Sequence, residues 1–174
     1  MAKPVAAKAA VGRGAGKPAS GPADLARYLR LLAAKRGGEH AYAVLLGLER
    51  GDAQALLERV HRGLPFDAFE RLQRNAGLGA EELAALVRIP PRTLLRRRAT
   101  GRLTPDESDR LVRAARVLGR ALALFDGDPA AARRWLETPA AALGGRPPLA
   151  VADTDVGARE VEALAGRLEH GVFP

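Results

Sequence analysis

Two consecutive prolines, Pro90 and Pro91, stand between two short amphipathic segments in residues 78–109, LGAEELAALVRIPPRTLLRRRATGRLTPDESD. A proline biases the residue before it toward extended backbone, so Ile89 and Pro90 are poor helix residues. Pro91 can open a new helix, because a first-turn N–H has no intrahelical partner to lose. The first segment therefore ends near Arg88 and the second begins within a few residues. In the first, Leu83, Leu86 and Val87 recur at helical spacing, Ala84 permits a close crossing, and Glu81 and Glu82 suit the positive end of the helix. In the second, Leu94 and Leu95 supply a core face and Gly101 a stop. Arg92, Thr93, Arg96, Arg97 and Arg98 spread over the remaining sides. Two short helices, a tight turn and cations gathered on the second helix read as a helix-turn-helix, whose second helix fits a DNA major groove. The alternative is a solvated cationic face tied by surface ion pairs.

The rest of the chain carries the same periodicity. Ala23 to Ala34 places Leu25, Tyr28, Leu29 and Leu32 on one face before a break at Gly37-Gly38, Tyr42 to Leu48 is a short apolar run, and Ala53, Leu56, Leu57 and Val60 outline another helix. From Pro65, the residues Phe66, Phe69 and Leu72 point one way up to Gly77. Thr104, Pro105 and Glu107 have the spacing of a capping box that opens a long helix, with Leu111, Ala115, Leu118, Leu122 and Phe125 as its stripe. Pro129 begins a helix with Trp135 and Leu136, and Thr154 caps a last helix through Val156, Val161, Leu164 and Leu168. No alternating run of strand length competes, so the fold class is all-α. Residues 1–21 hold Ala, Gly, Pro and Lys with too little apolar surface to offset ordering entropy, and are expected to be a disordered basic tail. Residues 22–62 then read as a helical extension, 63–126 as the helix-turn-helix region and 127–174 as a C-terminal helical part.

Composition narrows the function classes. The 174 residues carry a formal net charge of +8, which suits a polyanionic partner. With no cysteine there is no disulfide framework, thiolate metal site or Cys nucleophile. His40, His61 and His170 are scattered without carboxylates at ligand spacing, so no metal is expected, and no cofactor. Ser20 and Ser108 lie in no nucleophile elbow. Gly12 to Lys17 lacks the hydroxyl and the preceding strand of a phosphate loop. Nothing reads as an active site, and the expectation is a non-enzyme. No apolar run reaches the about 18 residues of a membrane span and no secretory core is visible, so a cytoplasmic protein without membrane contact is expected.

The C-terminal EHGVFP is unusual for carrying Val172 and Phe173 just before the last residue, Pro174, where a free end is normally polar. Phe173 either folds back onto this protein's own core or plugs a site on another molecule.

Taken in order, a set of features from Leu64 to Phe173 resembles the Xre/MbcA/ParS class of toxin-binding antitoxins, partners of RES-domain toxins. They are Glu82-Leu83-Ala84; Arg92-Thr93-Leu94 with Arg96-Arg97; Gly101-Arg102-Leu103 with Glu107-Ser108 and Arg110-Leu111; and Trp135-Leu136 with Pro139. Leu143-Gly144-Gly145, Pro148-Leu149, Thr154 with Gly157, Arg167, and His170-Gly171-Val172-Phe173 complete the set. The resemblance implies an Xre-like DNA-binding part and a C-terminal toxin-binding part, acting as a homodimer and in a hetero-oligomer with the toxin. It implies a toxin that consumes NAD, and an antitoxin that blocks the toxin's active site with Arg167, Glu169, His170, Gly171, Val172 and Phe173. Promoter DNA would be bound for autoregulation, with Arg92, Thr93, Arg96 and Arg97 toward the bases and Arg98 and Arg102 on phosphate. The competing reading is a stand-alone helix-turn-helix regulator with a C-terminal dimerisation module, and a third is a scaffold that binds no promoter.

Overall fold

The helical segments read from periodicity form where expected. The computed structural model describes residues 23–34, 38–49 and 53–171. In chain order they form α1 (Ala23–Ala33), a 3₁₀ helix (Ala41–Leu46), α2 (Ala53–His61), α3 (Phe66–Ala76), α4 (Ala80–Leu86), α5 (Pro91–Thr100) and α6 (Pro105–Leu124). After these come α7 (Pro129–Glu137), a short 3₁₀ turn (Ala141–Leu143), α8 (Pro148–Val151) and α9 (Asp155–Glu169). Among the described residues extended pairing is limited to isolated bridges, Pro65 with Arg102 and Ala140 with Arg146. The chain is all-α. The basic tail 1–21 lies outside the described residues, as do Gly37, Val172 and Phe173.

α6 is the axis of the fold. The Thr104 hydroxyl accepts from the Glu107 N–H at 3.3 Å while the Glu107 carboxylate accepts from the Thr104 N–H at 2.8 Å, which satisfies two helix-end donors reciprocally. Along α6, Leu111, Ala115, Leu118 and Leu122 are buried, and Phe125 at its end packs half-buried against Trp135 with ring centroids 6.3 Å apart. α9, α7, α2 and the first 3₁₀ helix all pack on this rod.

The apolar run at Ala41–Leu46 shows no helical stripe because every one of its residues is buried. It lies among α1, α3 and α6, and the buried Asn75 amide of α3 donates to its Leu45 carbonyl at 2.8 Å. The segment read as a helical extension thus contributes Leu25, Tyr28 and the whole 3₁₀ helix to one core that continues through Val161.

Three expected core positions are corrected. Leu95 is 68% exposed, Val156 74% and Leu57 53%. Successive helical residues are about 100° apart, so of the adjacent pair Leu94 and Leu95 only one turns inward, and it is Leu94. In α9 the buried side is Gly157, Ala158, Val161, Leu164 and Ala165, which leaves Val156 outward. That side is set by a close approach: a Cβ at Gly157 would stand 1.9 Å from the Val151 carbonyl oxygen.

Candidate functional site

The turn between α4 and α5 is built as its prolines require. The Ile89 N–H reaches back to the Ala84 carbonyl at 2.8 Å, Arg88 takes a left-handed φ of 53°, and Pro90 is extended at φ −59°, ψ 149°. Pro91 then opens α5, which ends on Gly101 at φ 71° with its N–H on the Arg97 carbonyl. The two flanks of this unit are stitched together. The Phe66 N–H donates to the Gly101 carbonyl and the Leu103 N–H to the Leu64 carbonyl, each at 2.9 Å. The Leu64 N–H donates to the buried Ser108 hydroxyl at 2.8 Å, and that hydroxyl donates to the Thr104 carbonyl at 2.7 Å. Gly63 has φ 78°, and a Cβ there would stand 2.2 Å from the Leu103 oxygen, so this seam needs glycine.

α5 buries no residue fully, yet its cations are not equivalent. Arg97 turns inward, its Nε 2.7 and 3.0 Å from the two carboxylate oxygens of Glu107. Burial pushes the Glu107 carboxyl up, but the Arg97 guanidinium and the Thr104 N–H outweigh it and hold the group below the usual carboxylate range. Arg98 pairs with Glu70 at 3.2 Å and lies 5.5 Å over the Phe66 ring. Arg102 donates to the Gly63 and Arg62 carbonyls at 2.6 and 3.3 Å. Thr93 is half-buried. Arg92 and Arg96 are exposed and make no hydrogen bond or ion pair among the described residues. Helical spacing puts them on one outward stripe with Leu95 and Ala99. Beside the stripe, α4 and α5 flank an open groove of about 770 Å³, lined chiefly by Ala84, Ala85, Ile89, Pro91, Leu94 and Leu95.

The partnership of Arg97 with Glu107 was missed in the sequence. Glu107 shows there as a capping residue, and nothing local marks which of the clustered arginines it takes.

At the other end of the chain, the Thr154 hydroxyl caps α9 by accepting from the Gly157 N–H at 3.0 Å. Arginines of α6 meet carboxylates of α9 in the same order along both helices: Arg113 and Arg116 reach Asp155 at 3.6 and 3.8 Å, Arg116 reaches Glu162 at 2.6 Å, and Arg120 reaches Glu169 at 3.7 Å. Asp155 also accepts from Arg159, which is the main reason its carboxyl lies below the usual range. α9 ends at His170, whose N–H donates to the Gly166 carbonyl at 3.2 Å, followed by Gly171 at φ 74°. Arg167 is half-buried without an ion pair among the described residues, while Glu169, His170 and Gly171 are exposed. These four residues share the end of one helix, and Val172 and Phe173 continue the chain from there. Among the described residues no group of His, Asp or Glu is placed to hold a metal ion, and no helix is long and apolar enough to cross a membrane.

Comparison with known proteins matches both parts. Residues 55–116 match the family model of the antitoxin Xre-like helix-turn-helix domain, and residues 120–171 that of the antitoxin Xre/MbcA/ParS C-terminal toxin-binding domain. Antitoxin Xre of Yersinia enterocolitica is 40% identical over 129 residues, which cover 74% of this chain and 87% of that protein. Antitoxin Xre of Photorhabdus laumondii is 35% identical over 114 residues, 65% of this chain and 77% of that protein. Antitoxin Xre of Pseudomonas putida is 38% identical over 84 residues, 48% of this chain and 52% of that protein.

Proposed function

The chain belongs to the Xre antitoxin family, and from that premise we propose that it neutralises a RES-domain, NAD-consuming toxin with its C-terminal segment and represses its own promoter through α5. Membership makes it an antitoxin with a helix-turn-helix domain and a C-terminal toxin-binding domain, not an enzyme. The finer reading assigns Arg167, Glu169, His170, Gly171, Val172 and Phe173 to the toxin. A pocket built for a dinucleotide offers phosphate-binding groups and an apolar slot, and a segment with charged side chains and an aromatic tip can fill both. It assigns Arg92 and Arg96 to promoter DNA, in a cytoplasmic protein that acts as a homodimer and assembles with its toxin.

The observation that carries the DNA part is the division of labour on α5. Arg97 and Arg98 of α5, and Arg102 just beyond it, are spent on internal partners, whereas Arg92 and Arg96 point outward with no partner among the described residues. Thr93 is assigned to the same edge, and Arg97, Arg98 and Arg102 serve DNA only by exchanging those partners for phosphate or bases. The test of the whole reading is co-expression with the protein encoded beside this chain. A RES-domain neighbour that copurifies, and whose NAD consumption stops on binding, is the expected result. A chain that binds its promoter but neither copurifies with such a neighbour nor inhibits it is a stand-alone regulator.

A further inference from the structure

We infer that Leu95 is a sequence-reading residue that packs on the C5-methyl group of a thymine in the major groove, an inference that rests on the DNA reading of α5 above. Leu95 is 68% exposed, and Arg92 and Arg96 flank it on the same stripe of the helix, with Ala99 one turn beyond. Leu95 is set apart from the other exposed apolar residues, Leu57 and Val156, by the two arginines that flank it, so a partner must take an apolar group and two cations together. A protein partner that covered it would also have to strip water from two unpaired guanidinium groups, which is costly unless they are neutralised. A DNA major groove satisfies both demands. Phosphates and guanine edges take the cations, and the one apolar group on the base edges is the thymine methyl. Leu95 lies three residues beyond Arg92, about 4.5 Å along the helix axis and on the same face, so one groove can receive both side chains. Leu94 packs on the core, Arg97 is turned to Glu107, and Arg98 to Glu70 and Phe66, so Leu95 is the large apolar side chain of α5 that faces outward.

The test uses the full chain and a pool of randomised duplexes. Sites selected by the wild type are expected to hold a thymine whose replacement by deoxyuridine, which removes only the methyl group, weakens binding about threefold to fourfold, the worth of one buried methyl. Leu95→Ala is expected to lose that sensitivity while keeping its overall preference for the guanines. Leu95→Gln is expected to move the preference at that step from thymine to adenine, because an amide can pair with the adenine edge. Equal sensitivity to deoxyuridine in wild type and Leu95→Ala, or selected sites with no methyl-sensitive thymine, overturns the inference and leaves promoter binding standing. Unchanged selection by Leu95→Ala together with lost self-association or toxin capture also overturns it, in favour of a protein contact. A wild type that enriches no duplex overturns the DNA reading itself.

Discussion

The Tyr28 hydroxyl donates to the Gly119 carbonyl at 2.8 Å, joining α1 to the middle of α6 across 91 positions of sequence. Burial pushes the phenol up to about 12, with Arg120 opposing and Glu169 adding to the shift, so Tyr28 remains a protonated donor through the neutral range. Gly119 is where α6 admits both tyrosines: a Cβ there would stand 2.9 Å from the Tyr28 hydroxyl oxygen and 3.1 Å from the Tyr42 Cβ.

Gly119→Ala is accordingly expected to destabilise. Alanine gains about 1 kcal/mol in helix propensity, but overpacking a close contact costs about 1 to 3 kcal/mol. The loss should be smaller in a Tyr28→Phe background, where the nearest atom is gone. Urea denaturation of the two single variants and the double variant measures the coupling, and strictly additive losses would show that the two residues do not press on one another.

Arg97→Ala is expected to cost about 1 to 3 kcal/mol at neutral pH, because it leaves the buried Glu107 carboxylate with the Thr104 N–H as its remaining partner. The pH dependence has a definite sign. Glu107 has a lowered pKa when folded, so its contribution is present above the ordinary carboxylate pKa and disappears as pH falls through the folded value. The stability gap between wild type and Arg97→Ala should therefore shrink in acid. A gap that stays constant down to the pH of acid unfolding would place the cost elsewhere.

Arg92→Ala and Arg96→Ala are expected to behave in the opposite way to Arg97→Ala. Each should leave the melting temperature unchanged, since neither side chain has a partner among the described residues, and each should weaken promoter binding by about 1 to 3 kcal/mol where the contact is bidentate to guanine. Fluorescence anisotropy at matched salt separates the two sites, and binding should fall steeply as salt rises. Wild-type affinity in both variants would remove α5 from the interface.

Deleting His170 to Pro174 is expected to abolish toxin inhibition while melting temperature and promoter binding stay near those of the full chain. The described part of α9 holds its place through Val161, Leu164 and Ala165 and through the pairs of Glu162 with Arg116 and Glu169 with Arg120. Joint loss of stability, DNA binding and inhibition would instead assign Phe173 to this protein's own core.

What the sequence disclosed was mostly what neighbouring residues decide. The Thr104–Glu107 box, the Thr154 cap, the stops at Gly77 and Gly101 and the stripe of Leu111, Ala115, Leu118 and Leu122 on α6 depend on spacings of three to four residues, and form as read. What it concealed depends on residues far apart in the chain. The run at Ala41–Leu46 has no periodicity to betray a helix buried on every side, two adjacent leucines give no sign of which faces in, and five clustered arginines look alike until Glu70 and Glu107 select two of them. For the same reason the helix-turn-helix was legible in outline, while the separation of α5 into inward and outward cations was not.

The matched regions end at residue 116 and begin again at 120, within the unbroken α6 and around the very turn that Tyr28 and Tyr42 press against. No break in the helix separates the helix-turn-helix domain from the toxin-binding domain; a single continuous rod belongs to both. A chimera that exchanged one half for that of a relative would have to join through the middle of this helix, where Val117, Leu118, Gly119, Ala121 and Leu122 are buried, and match its neighbours on both sides at once. A half exchanged between relatives is therefore expected to keep its stability only where the residues packed on α6 are exchanged with it.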